Sequence, residues 1–167
     1  VNDSDFNLVN CLDLYLKPDD EIYHVTAQGM GVNKIDLVSH DKMAVTYKQG
    51  SKLLYDFLSL HSDKGKVKII PVGHGVKGDI EHICDKLVSR GTWETFCSYR
   101  VMDTSSVAQF LKACGKFPDS VLGSLESLAE YFGLDKDNAG NKVKFHSASM
   151  DTFVTRAVFL KLREIIT

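Results

Sequence analysis

The sequence has no surplus of positive charge: 20 Lys and Arg stand against 22 Asp and Glu, a formal net charge of −2. That excludes a protein held to nucleic acid by a general basic field, so any such contact has to be local and helped by metal ions. Paired cysteines are missing as well. Cys11, Cys84, Cys97 and Cys114 are scattered without a Cys-x-x-Cys pair, which argues against a zinc site and fits reduced thiols in a cytosolic compartment. No apolar run reaches the length of a membrane span, and no secretory signal opens the chain. A cytoplasmic location without membrane contact is therefore expected. Internal repeats and low-complexity tracts are absent. What is there is 167 residues, 44% hydrophobic and 25% charged, the makeup of one globular domain with mass enough for a core.

Along the chain, strand-like and helix-like patterns alternate. Leu8, Leu12, Leu14 and Leu16 interleave with Asn10, Asp13 and Tyr15, the period-two pattern of a half-buried strand over 8–16. Residues 21–36 contain Gly29 and Gly31 and no sustained period, which predicts a loop with at most one helical turn. Leu53, Leu54, Phe57, Leu58 and Leu60 are spaced for a helix that ends near His61-Ser62-Asp63. The apolar run 67–73 predicts an interior strand, followed by a helix whose face is marked by Ile80, Ile83, Cys84, Leu87 and Val88. Residues 99–102 predict one more short strand. Asp103-Thr104-Ser105-Ser106 offers capping oxygens to a helix bearing Val107, Phe110 and Leu111, so Asp103 is assigned to capping and not to catalysis. Ser124 and Gly133 bracket a further helix as its caps. Apolar residues at 153, 154, 157, 158, 160, 162, 165 and 166 predict an amphipathic helix from about 149 to 166.

Two places carry possible chemistry. His146 stands at or before the first turn of the last helix, with Asp151 further along it. A loop histidine can swing over a helix carboxylate at that separation, the relation needed if the carboxylate holds a metal ion and the imidazole takes a proton from bound water. The plainer alternative is a surface histidine beside a first-turn acid favoured by the helix dipole. Asp79 lies where the 67–73 strand hands over to a helix, at the edge where α/β sheets bind ligands. It too reads alternatively as a dipole-stabilising acid.

The order and spacing of these pieces resemble the DEDDh 3′→5′ exonucleases. The matching series is Tyr15-Leu16-Lys17-Pro18, Met30-Gly31-Val32, Val72-Gly73-His74 followed by Asp79, Asp103-Thr104, Ser124-Leu125 with Leu128-Ala129, and His146-x-Ala148-x-x-Asp151. The last of these, a His-x-Ala-x-x-Asp motif running into an apolar helix, is the most specific. The resemblance covers nearly the whole chain and implies an α/β, ribonuclease H-like mixed sheet flanked by helices. It also implies an enzyme that removes terminal nucleotides from single-stranded DNA or short RNA with two divalent ions, Mg²⁺ or Mn²⁺. By resemblance Asp79 and Asp151 are metal-binding acids, His146 is the general base, and Met30, Gly31 and His74 fall where the family meets the substrate. The residue types agree with that chemistry. Hard divalent ions prefer oxygen ligands, two ions about 3.5–4 Å apart stabilise attacking and leaving oxygens together, and an imidazole titrating near neutrality accepts a proton readily.

Two departures from the family pattern bear on these expectations. Gly75 and Gly78 stand where the second motif usually has Asn and Phe, which puts base stacking at that point in doubt and enlarges the pocket. The family's first motif, Asp-x-Glu on the central strand, has no counterpart here, and Asp3-Ser4-Asp5 lies too near Pro18 to serve. The expectation is therefore that the N-terminal strand or strands of the domain are absent from residues 1–167. They would be supplied by the same polypeptide upstream of Val1 or by a separate chain, and this chain alone would have essentially no exonuclease activity. Expected partners are the 3′ end of a single-stranded nucleic acid and a polymerase or homodimer partner. The alternative function is a non-catalytic nuclease-like module that binds nucleic acid or a polymerase.

Overall fold

A computed structural model describes residues 1–33, 35–136, 145 and 147–167. The protein is mixed α/β and mostly helical. In chain order its elements are β1 (Leu16–Lys17), α1 (Ala27–Asn33), α2 (Leu37–Met43), β2 (Val45–Thr46), α3 (Tyr47–His61), β3 (Val72–Gly73), α4 (Val76–Lys86), α5 (Arg90–Phe96), β4 (Met102–Asp103), α6 (Thr104–Ala113), α7 (Leu125–Tyr131) and α8 (Ala148–Ile166). They gather into two compact units, residues 1–70 with 80–99 and residues 71–79 with 100–167. No helix of the described residues is long and apolar enough to cross a membrane.

In the first unit β1 and β2 pair in parallel, Leu16 with Val45 and Lys17 with Thr46. Thr46 then starts α3 with a capping box, its hydroxyl accepting from the Gln49 N–H while the Gln49 side chain accepts from the Thr46 N–H. Buried Gly50 lets α3 close onto the strand, because a Cβ there would collide with the Leu16 side chain. Ser89 caps α5, and Trp93 and Phe96 of that helix are buried. Tyr55 meets Phe96 edge-on at 5.1 Å between ring centroids. Lys68 Nζ donates to the carbonyls of Glu94 and Thr95 at 2.7 and 2.6 Å, satisfying the last turn of α5 where cations are favoured. Ile69 bridges Cys97 in parallel. Burial pushes the Cys97 thiol up to about 11, so it behaves as a small apolar side chain. All four cysteines are free thiols.

In the second unit β3 and β4 pair in parallel, Val72 with Met102 and Gly73 with Asp103. Helix α8 packs against α6, α7 and β3. Its Val154, Val158 and Leu162 are buried, one residue per turn along a single stripe. They close a core with Ala108, Leu111, Phe117, Val121, Leu128 and Ala129. Helix α7 ends in a Schellman turn: Gly133 N–H bonds the Glu130 carbonyl at 3.1 Å and Leu134 N–H bonds the Ala129 carbonyl at 2.7 Å. Gly133 sits there at φ +68°, a conformation glycine adopts without steric cost.

The differences from the sequence expectations have local causes. The five helical segments expected at 53–61, 80–88, 103–114, 124–133 and 149–166 are present as α3, α4, α6, α7 and α8. Residues 8–16 form no strand apart from an isolated antiparallel bridge between Asn2 and Leu8, and pairing starts only at Leu16. Alternation marks which face a strand would bury, but a strand needs a neighbour to form. The 21–36 segment contains a real helix, α1, because the Thr26 hydroxyl accepts from Gly29 N–H at 3.0 Å and offsets the cost of two helical glycines. The 67–73 run is reduced to β3 and the bridge at Ile69, as Pro71 has no N–H for a continuous ladder. The expected 99–102 strand is shifted to Met102–Asp103. In place of one mixed sheet, the described residues form two separate two-stranded parallel sheets. Phe153 and Ile166 belong to the apolar series of the last helix yet remain exposed: Phe153 lies off the 154–158–162 stripe, and Ile166 continues that series but is the final residue of α8.

Leu128 is fully buried in the α6–α7–α8 core, so Leu128→Ala should cost about 2–5 kcal/mol in urea unfolding. Phe110→Ala, at a side chain 67% exposed, should change stability by no more than about 0.5 kcal/mol.

Candidate functional site

The candidate site is built where β3 and β4 end side by side and launch α4 and α6. Gly73 makes the tight exit from β3, because a Cβ there would lie 2.6 Å from the Val76 Cβ. Gly75 follows at φ +71°, again the region that favours glycine. Val76 is buried and starts α4, which carries Asp79 in its first turn. On the second strand Asp103 is both the last strand residue and the N-cap of α6.

Three hydrogen bonds join the two strand ends, and a fourth caps α6. Asp103 Oδ1 accepts from Ser105 N–H at 2.9 Å, the capping bond, and also from Gly75 N–H at 3.1 Å. The Thr104 hydroxyl donates to the Gly73 carbonyl at 3.1 Å and hydrogen-bonds His74 Nδ1 at 2.9 Å. Thr104 has no solvent exposure, so loss of either partner would leave a buried polar group unsatisfied. Burial draws the His74 imidazole below its ordinary value, against the opposing charge of Asp103 and a hydrogen bond with the Gly123 backbone.

Asp151 lies in the first turn of α8 and is half-buried, and Asp79 is exposed in the first turn of α4. Both belong to the second unit, in which α8 contacts the strand that leads into α4. His146 lies outside the described residues. Met30, half-buried, and Gly31, exposed, stand on α1 in the first unit. His74 has its ring committed to Thr104 and Gly123. At Gly78 an added Cβ would meet nothing within 4 Å, so the space beside that position is open.

Two carboxylates are the donor type that Mg²⁺ or Mn²⁺ takes, and Asp79 and Asp151 fit such an ion in kind. Among the described residues no three His, Cys, Asp or Glu side chains form a group that could hold a metal ion. The sequence reading missed the contact of Asp103 with Gly75. The capping role was visible in Asp103-Thr104-Ser105, but a bond to a turn 28 residues away leaves no local signal.

Because the folded state holds His74 below 6.5, the unfolded chain binds the proton more readily. The contribution of His74 to stability is therefore complete above about pH 6.5 and is lost as pH falls through the lower folded value. Urea unfolding followed from about pH 7.5 down to about pH 5 should show this decline, and His74→Gln should remove its share of the slope. Comparison with protein-family models, with curated proteins and with solved structures finds no match to this chain.

Proposed function

We propose that this chain carries the second and third motifs of a metal-dependent 3′→5′ exonuclease of the ribonuclease H-like class, acting on the 3′ end of single-stranded DNA or short RNA. The observation that carries the reading is the placement of Asp79. It rides the first turn of a helix launched from the end of a parallel strand, in the same unit as a long helix bearing Asp151 in its own first turn. In this reading Asp79 and Asp151 are oxygen ligands for two Mg²⁺ or Mn²⁺ ions, which would supply Lewis-acid stabilisation of the reacting phosphate. His146 takes the proton from the attacking water. In the second unit, the open space at Gly78 leaves room for the terminal nucleotide beside Asp79. This reading needs two further carboxylates, those of the family's Asp-x-Glu, which have no match among these residues.

The second reading, a non-catalytic nuclease-like module that binds nucleic acid or a polymerase, is favoured by one observation: the described residues assemble no three-ligand metal group. The two readings separate in one assay. A 5′-labelled single-stranded DNA or RNA oligonucleotide is incubated with the chain, with the Asp-x-Glu strand supplied. The exonuclease reading expects products shortened from the 3′ end, dependent on Mg²⁺ or Mn²⁺, abolished by a chelator, and slowed about 10²–10⁴-fold by His146→Ala. Oligonucleotide binding without shortening overturns it in favour of the binding module.

A further inference from the structure

We propose that Asp103 and Thr104 are positioning residues for Asp79. Together they clamp the last residue of β3 and the two residues that link it to α4, Gly73, His74 and Gly75, and so set where the first turn of α4 presents its carboxylate. This inference rests on the nuclease reading for the role of Asp79, while the clamp itself stands on the geometry of the strand ends.

Each of the three residues is held. Gly73 is held through its carbonyl by the Thr104 hydroxyl, His74 through its ring by the same hydroxyl, and Gly75 through its N–H by Asp103. A helix cap needs only the bond from Asp103 to Ser105. The second bond, to Gly75, has no capping use for α6 and instead ties the start of one helix to the start of another. A threonine at the first helical position has no need of a fully buried hydroxyl bonded in two directions. Beyond Gly75 the buried Val76 anchors α4, and Asp79 follows about 4.5 Å along the helix axis. Little of the chain between the clamp and the carboxylate can adjust independently. Residues that orient a ligand without touching the ion typically alter metal affinity about 10–100-fold when removed.

The test uses the full 167-residue chain and Mn²⁺ alone as the probe, read by paramagnetic broadening of the Asp79 and Asp151 resonances and by amide exchange at Gly75. Asp103→Ala should speed exchange at Gly75 and weaken Mn²⁺ binding at Asp79 about 10–100-fold. Asp103→Asn, whose side-chain oxygen accepts the same two N–H groups, should restore most of both. Core resonances of Leu128 and Val158 report whether the variant is folded. Should Asp103→Ala fail to fold, Thr104→Val against Thr104→Ser makes the same comparison, with the hydroxyl deleted in one and kept in the other. A folded Asp103→Ala, or Thr104→Val in its place, that matches the parent in Gly75 exchange and in Mn²⁺ affinity overturns the clamp. A parent chain that takes up no Mn²⁺ at Asp79 overturns metal binding by this chain on its own, and the Gly75 amide then decides the clamp by itself, while the nuclease reading is decided by the oligonucleotide assay.

Discussion

The second unit depends on the carboxylate of Asp103. A parallel pair of two residues each makes too few ladder bonds to hold its own register, and β3 and β4 are such a pair. Asp103 accepts from Gly75 across the pair and from Ser105 within its own helix, while Thr104 reaches back to Gly73 and His74. Hydrogen bonds to a charged acceptor are stronger than neutral ones. The strand pair is thus held at its C-terminal end by side chains, the end from which both α4 and α6 depart. The rest of the unit builds on that frame, with α8 laid against β3, α6 and α7 and its Val154–Val158–Leu162 stripe closing the core.

The helices were legible in the sequence because their signals are local. Ser124 and Gly133 bracket α7, and the structure uses Ser124 as its N-cap and Gly133 as the left-handed residue just past Phe132, the C-cap. The apolar series at 153–166 located α8, and burial of Val154, Val158 and Leu162 follows from its period. Strands were less legible, since a strand is a relation between distant segments. Leu8 to Leu16 alternates as a strand should, yet only Leu16 finds a parallel neighbour, at Val45. Helix α1 was obscured by Gly29 and Gly31, whose low helix propensity is offset by the Thr26 hydroxyl at Gly29.

The site was legible in part. Asp79 occupies the strand-to-helix junction that its surroundings predicted, and Asp151 the first turn of the last helix. What the sequence could not display was the role of Gly75. As a departure from an expected Asn it reads as a loss, but its φ of +71° and its N–H bond to Asp103 show a backbone position under constraint. Asparagine is among the few other residues that visit that conformation. Gly78 differs, because open space surrounds the position where a side chain would stand.

The central claim is that Asp79 and Asp151 serve one divalent-metal site in the second unit. It is tested most directly by anomalous diffraction from crystals of the chain grown with Mn²⁺. The account predicts an anomalous peak contacting oxygens of both carboxylates. Carboxylates more than about 10 Å apart, too far to share a two-ion site, would contradict it.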